Sequence, residues 1–152
     1  EVAKRIVAAL GKESILSVSV KAYGEPKYID TVPKRSFRPI PKVDSAIILI
    51  DNISRKFFED ESPAFSDSEN RDKSAIGLDT KEKIFFDVVR TGFAHKRKVL
   101  RGNLAKIMPQ QNLEKLWKDK NWPVDARAET FNLEQWKEIA KEASLFHTTQ
   151  AK

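Results

Sequence analysis

Apolar residues change their spacing along this chain, and the changes mark its elements. The opening "EVAKRIVAAL" places Val2, Ile6 and Ala9 or Leu10 on one helical face, with no capping residue ahead of it. Residues 14–23, "SILSVSVKAY", fit two templates: Val18 and Val20 with polar alternates suit a strand, whereas Ile15, Val18 and Ala22 suit a helix. "KYIDTV" at 27–32 is β-branched and aromatic, which favours a strand. "VDSAIILI" at 43–50 is a clearer strand, and its end is apolar without alternation. A short continuous run of this kind predicts a strand covered on both faces, as in a sheet held between helices. The elements nearby are too few to supply that cover, so the sequence reads as the C-terminal part of a larger α/β protein, unless the later helices or a partner cover the strand.

From residue 81 the helical period dominates. Val89, Phe93, Leu100, Leu104 and Ile107 share one stripe, and on the same wheel Arg90, Arg97 and Arg101 project together beside it. Gly92 and Gly102 weaken a single rod by about 1 kcal/mol each relative to alanine, so a break near His95 into two helices is expected. Residues 113–121 form a further helix, closed by Trp122-Pro123. The last helix has a specified start. Asn132 and Gln135 make a capping box, and Phe131 and Trp136 a hydrophobic staple. Leu133, Trp136, Ile139, Ala140 and Ala143 then face a core. Between the two regions, "EDESPAFSDSENRDKS" is acidic and serine-rich, and 51–80 reads as a mobile linker. The domain reading is therefore 1–50, a linker over 51–80, and a helical domain over 81–152.

Charge sharpens this division. Residues 1–50 carry nine Lys/Arg against five Asp/Glu, 51–80 four against eight, 81–106 eight against two, and 107–152 seven against seven. The excess in 81–106 is the footprint of an anionic partner, with nucleic acid the leading candidate. Other chemistries find little support. There is no cysteine, and His95 and His147 stand far apart, so no metal site is expected. No apolar run approaches the ~18–20 residues of a membrane span, and no signal peptide is evident; the default location is the cytoplasm. The five glycines lie too far apart to form a phosphate-cradling loop, and no nucleophile–histidine–acid set is supported.

Two stretches remain as binding surface. "AHKRKVLRGNL" at 94–104 gathers Lys96, Arg97, Lys98 and Arg101 within two turns, a pattern suited to phosphates but shared with plain solvated faces. In "FRPIPKVDSA" at 37–46, Pro39 and Pro41 fix their own φ and push Arg38 and Ile40 toward extended backbone. Phe37, beside Arg38 and Lys42, is either a core plug or a ring held where a nucleobase can stack.

These stretches resemble a known family. "LSVSVKAYGEPKYIDTVPKRSFRPIPKVDSAIILI" (16–50) is similar to the end of the catalytic domain of KsgA-type ribosomal RNA adenine dimethylases. "FFDVVRTGFAHKRKVLRGNL" (85–104) and "RAETFNLEQW" (127–136) resemble their C-terminal helical domain, in family order. The resemblance implies transfer of methyl groups from S-adenosylmethionine to N6 of two adjacent adenosines near the 3′ end of small-subunit (16S) ribosomal RNA, on the immature subunit during ribosome biogenesis. It implies an α+β fragment: the final hairpin and helices of a Rossmann-like methyltransferase domain, then a small all-α domain docking on rRNA. Under it 14–23 becomes helix, Phe37 stacks the flipped adenine, and Arg90, Lys96, Arg97, Lys98 and Arg101, with Arg38 and Lys42, contact RNA. The family's cofactor loop and N-L-P-Y-type catalytic motif lie upstream of these residues, so S-adenosylmethionine is expected to be held by a portion absent here, with no catalytic residue in this chain and no methylation by it alone. The triplet is Lys-Arg-Lys where the family more often opens with arginine. The alternatives are a non-catalytic nucleic-acid-binding module and an Erm-like methylase of large-subunit rRNA.

Overall fold

The computed structural model describes residues 1–59 and 71–147. Among these, six α-helices and two strands follow in the order α1 (Val2–Ile6), α2 (Ile15–Lys21), β1 (Glu25–Val32), β2 (Ser45–Asp51), α3 (Arg71–Gly92), α4 (Leu100–Leu104), α5 (Gln110–Asp119) and α6 (Leu133–His147). The class is α+β.

The first helix is shorter than the opening pattern predicts. It ends at Ile6, and the chain turns through Gly11 at φ 86°, a conformation that suits glycine. The ambiguity over 14–23 resolves to helix through a local cap. Ser14 accepts from the Ser17 amide at 3.3 Å, while Ser17 Oγ accepts from the Ser14 amide at 2.8 Å. Ser17 Oγ donates to the buried Glu13 carboxylate at 2.6 Å, and Lys21 Nζ lies 2.5 Å from its other oxygen. Glu13 is thus buried with both a cation and a hydroxyl, the condition under which a carboxylate tolerates burial.

The strands pair antiparallel from Glu25 opposite Asp51 to Val32 opposite Ser45, with an irregularity between Tyr28 and Asp30 that leaves Ile29 exposed. The expectation of a strand covered on both faces is not met by the described residues. No residue of β2 is buried, and Ile47 and Leu49 are 48% and 45% exposed. An uninterrupted apolar run reports the environment a strand suits; it does not supply the elements that create it.

The core lies on the other side of α2. Val18 and Ala22 enter one cluster with Ile84, Phe85, Val88 and Val89 of α3, Leu100 and Leu104 of α4, Leu113 and Trp117 of α5, and Trp136, Ile139 and Ala143 of α6. The reading of 51–80 as a linker is corrected at both ends. Phe58 is buried; with Phe57 it meets Phe85 edge-on at centroid separations of 5.5 and 5.2 Å. Helix α3 starts at Arg71, well before residue 81. The acidic composition of the stretch obscured the two aromatic rings. Phe65 and the rest of 60–70 lie outside the described residues.

A polar network closes this junction. The Tyr23 hydroxyl donates to Glu82, and Arg55 pairs with both Asp79 and Glu82. Partial burial, and then the bond to Glu82, push the Tyr23 pKa from 10.0 up to about 12.

The predicted break near His95 is present. Helix α3 stops at Gly92, where an added Cβ would lie 2.5 Å from Trp136 Cη2 and 2.8 Å from Leu100 Cδ1. Helix α6 begins as predicted: the Asn132 amide donates to Gln135 Oε1, and the Gln135 amide to Asn132 Oδ1, both at 2.9 Å. Phe131 and Trp136 pack with centroids 6.2 Å apart.

Two outcomes are expected. Gly92→Ala should lower the thermal midpoint by several degrees, because overpacking a buried tryptophan costs about 1–3 kcal/mol against about 1 kcal/mol of helix propensity gained; an unchanged or raised midpoint would refute the close approach. A raised tyrosine pKa stabilises the fold fully below the unfolded value of 10.0, and that contribution disappears as pH rises through about 12. The stability difference between the wild type and Tyr23→Phe, from urea midpoints, should therefore be constant below pH 10 and shrink from there to about 12; a difference independent of pH across this window would contradict the assignment.

Candidate nucleic-acid interface

The loop joining β1 to β2 carries the first group of predicted residues. Its base is tied by the Lys34 amide, which donates to Asp44 Oδ1 at 2.8 Å. Between them runs a short 3-10 turn over Lys34–Ser36, then Phe37, Arg38, a cis Arg38–Pro39 peptide, Pro41 and Lys42. The Phe37 ring is 39% exposed and stands outside the core cluster. Arg38 and Lys42 are exposed beside it, and so are Lys34 and Arg35. The sequence reading passed over these last two, although "PKRSFRP" places them next to the ring.

The second group sits where α3 gives way to α4. Residues 94–99 are exposed, between the buried Gly92 and the buried Leu100. The Lys98 amide donates to the His95 carbonyl at 2.9 Å, which closes a turn with Lys96 and Arg97 at its two central positions. Its exit is fixed by the Leu100 amide, which donates to the Ala126 carbonyl at 2.9 Å. Among the described residues none of Lys96, Arg97 and Lys98 forms an ion pair. Three cations on one turn with no internal counter-charge make a surface that attracts polyanions.

The predicted companions of this triplet are arranged differently. Arg90, Arg97 and Arg101 do not share a helical stripe, because α3 ends between the first and second of them. Arg90 is exposed but pairs with Asp87 at 2.7 Å, one turn back on its own helix. Arg101 is half-buried, and its Nε is buried without a partner among the described residues. It lines a cavity of about 440 Å³ with Val99, Glu114 and Asp125, which the triplet side chains do not line.

Lys96 also lines a groove of about 800 Å³ with Arg5, Lys12 and Phe93 and with the acidic residues Glu1, Glu13 and Glu129. The groove thus runs from the basic turn to the loop between α1 and α2, where the Glu13 amide donates to the Glu129 carbonyl at 3.2 Å. Arg5 and Lys12 were missed because they lie far from the triplet in sequence. The signal that could have found them is the positive excess over residues 1–50.

Beneath the turn, Asn103 of α4 is 2% exposed. Its Nδ2 donates to the Gly92 carbonyl at 2.7 Å and the His95 carbonyl at 3.3 Å, while its Oδ1 is buried with no partner among the described residues. An orphaned buried acceptor costs about 1–3 kcal/mol.

Phe37 lines none of the principal cavities among the described residues. Among them, too, no group of three metal-ligating side chains occurs, and no helix is long and apolar enough to cross a membrane.

Residues 1–67 match the profile of the family described as Ribosomal RNA adenine dimethylase. The chain is 34% identical over 143 residues to the ribosomal RNA small subunit methyltransferase A of Fusobacterium nucleatum, covering 93% of this chain and 47% of that protein. To its namesake in Nostoc punctiforme it is 34% identical, covering 95% and 44%. The chain therefore spans about half the length of the curated relatives it matches. Among solved structures, a dimethyladenosine transferase from Plasmodium falciparum aligns with a TM-score of 0.63 at 18% identity, over 93% of this chain and 55% of that one. The 23S rRNA methyltransferase ErmE aligns with a TM-score of 0.53 at 21% identity, over 93% and 50%. At these identities the likeness is one of fold.

Proposed function

The chain is a relative of the ribosomal RNA adenine dimethylases, and we propose from this that it forms the C-terminal portion of an S-adenosylmethionine-dependent rRNA adenine N6,N6-dimethyltransferase. The substrate is a pair of adjacent adenosines near the 3′ end of small-subunit rRNA, met on the immature subunit in the cytoplasm. Residues 1–50 complete the methyltransferase domain, and the helices from α3 onward dock on rRNA. The observation that carries this reading is the turn at 95–98: three exposed cations without ion-pair partners among the described residues, in a chain whose relatives are rRNA methyltransferases.

The division of labour follows from the geometry. Lys96, Arg97 and Lys98 neutralise phosphates, which gives salt-dependent affinity and register without selecting a base. Phe37 acts at the target: a ring on a proline-stiffened loop offers its face to an adenine taken out of its stack. S-adenosylmethionine supplies the methyl groups from the upstream portion, and no residue described here holds it.

A second reading is RNA binding without catalysis, which the exposed basic turn at 95–98 would serve equally well. The Erm-like alternative finds less support, since the curated relatives cited are named small subunit methyltransferases.

The test pairs filter binding over a salt series with methylation rates in the full-length enzyme. Lys96→Ala, Arg97→Ala and Lys98→Ala should each weaken rRNA binding and reduce the log–log salt slope by up to about 0.7–0.9. Phe37→Ala should leave that slope intact and lower turnover roughly tenfold to a hundredfold, the loss of about 1–3 kcal/mol of base stacking. Triplet variants with the wild-type slope would reduce the turn to a solvated face, and normal turnover in Phe37→Ala would remove the ring from the reaction. The 152-residue chain, given labelled S-adenosylmethionine and undermethylated small subunits, should transfer no label; incorporation above background would show that it holds a donor after all.

A further inference from the structure

We infer that Asn103 is a positioning residue for RNA docking: its side-chain amide fixes the turn that presents Lys96 and Arg97. The inference rests on the reading of that turn as the RNA contact.

The argument begins with the end of α3. The last carbonyls of a helix have no donors four residues on and need partners from elsewhere. Here α3 ends at Gly92, where Trp136 and Leu100 leave no room for a side chain. Asn103 Nδ2 then takes the Gly92 carbonyl at 2.7 Å and the His95 carbonyl at 3.3 Å. The first is the last helical carbonyl, and the second opens the turn that Lys98 closes. One buried amide, reaching back from α4, thus links the rigid helix to the basic turn.

The polarity of the amide is determined by its surroundings. Both partners of Nδ2 are carbonyl oxygens, so the opposite orientation would set Oδ1 against two acceptors. Oδ1 itself finds no partner among the described residues. A leucine would fill a similar volume without burying an orphan acceptor. What asparagine alone supplies is the pair of donors, and both act on the turn.

The functional consequence concerns entropy. Cations on a disordered loop lose freedom when they settle on phosphates, and that loss subtracts from affinity. Cations on a turn held at His95 by Asn103 and at Leu100 by Ala126 are already placed.

The experiment compares the wild-type chain with Asn103→Leu, using backbone amide exchange by NMR and binding to a synthetic RNA of the 3′-terminal small-subunit sequence. In Asn103→Leu the Lys98 amide should lose protection while amides inside α6 keep theirs. RNA affinity should fall about threefold to tenfold, as for one or two side chains that must be ordered on binding. In a background already carrying Lys96→Ala and Arg97→Ala, the same substitution should change affinity less than twofold, which general destabilisation would not reproduce. If Asn103→Leu does not fold, Asn103→Ser takes its place, since its hydroxyl is too short to span both carbonyls. Unchanged Lys98 protection would overturn the inference. So would wild-type RNA affinity in a variant with a loosened turn, while Lys96→Ala and Arg97→Ala still weaken binding. If those two charge variants bind normally, the docking reading itself fails and this inference with it.

Discussion

The contact between α3 and α6 at Gly92 and Trp136 is the constraint on which the functional surface depends. Trp136 is fully buried, stacks on Phe93 with centroids 5.3 Å apart, and leaves no space for a side chain at Gly92. The helix ends there, and the chain emerges at that point as the basic turn. The exposed, cation-rich segment is therefore anchored at its root on one of the largest buried side chains of the molecule. Core packing and the proposed RNA-docking surface meet within a few residues.

A second dependence ties the hairpin side of the molecule to the helices. Helix α2 contributes Val18 and Ala22 to the same core as α3 and α6. Tyr23, Phe58 and Phe86 pack together, and Tyr23, Glu82 and Arg55 close the junction. The Phe37 loop and the basic turn, which are distinct surfaces, are thus carried on one connected framework. A base positioned by one and a phosphate backbone held by the other can be parts of a single substrate.

Much of this was legible in the sequence wherever local rules decide the outcome. The α6 start followed from Asn132, Gln135, Phe131 and Trp136 within a few positions, and the break near His95 from glycine in a helical pattern. The two strands followed from β-branched and apolar content, and their pairing as a hairpin from the family resemblance. Where the outcome depends on distant partners, sequence reasoning fell short. The arginine stripe assumed one unbroken helix through Gly92. The linker reading weighed acidic composition and missed that Phe57 and Phe58 find Phe85. The run Ala46–Ile50 signals an apolar environment but not what provides it. Arg5 and Lys12 join Lys96 through tertiary folding alone, and the double hydrogen bond of Asn103 cannot be anticipated from an asparagine in a short helix.

The central claim is that RNA engages the turn emerging at Gly92. Hydrogen exchange read by mass spectrometry, on the chain with and without the 3′-terminal small-subunit rRNA, tests it most directly. The account predicts new protection concentrated in peptides covering 93–99, with little change along the buried length of α6. Protection elsewhere, with 93–99 exchanging as in the free chain, would contradict it.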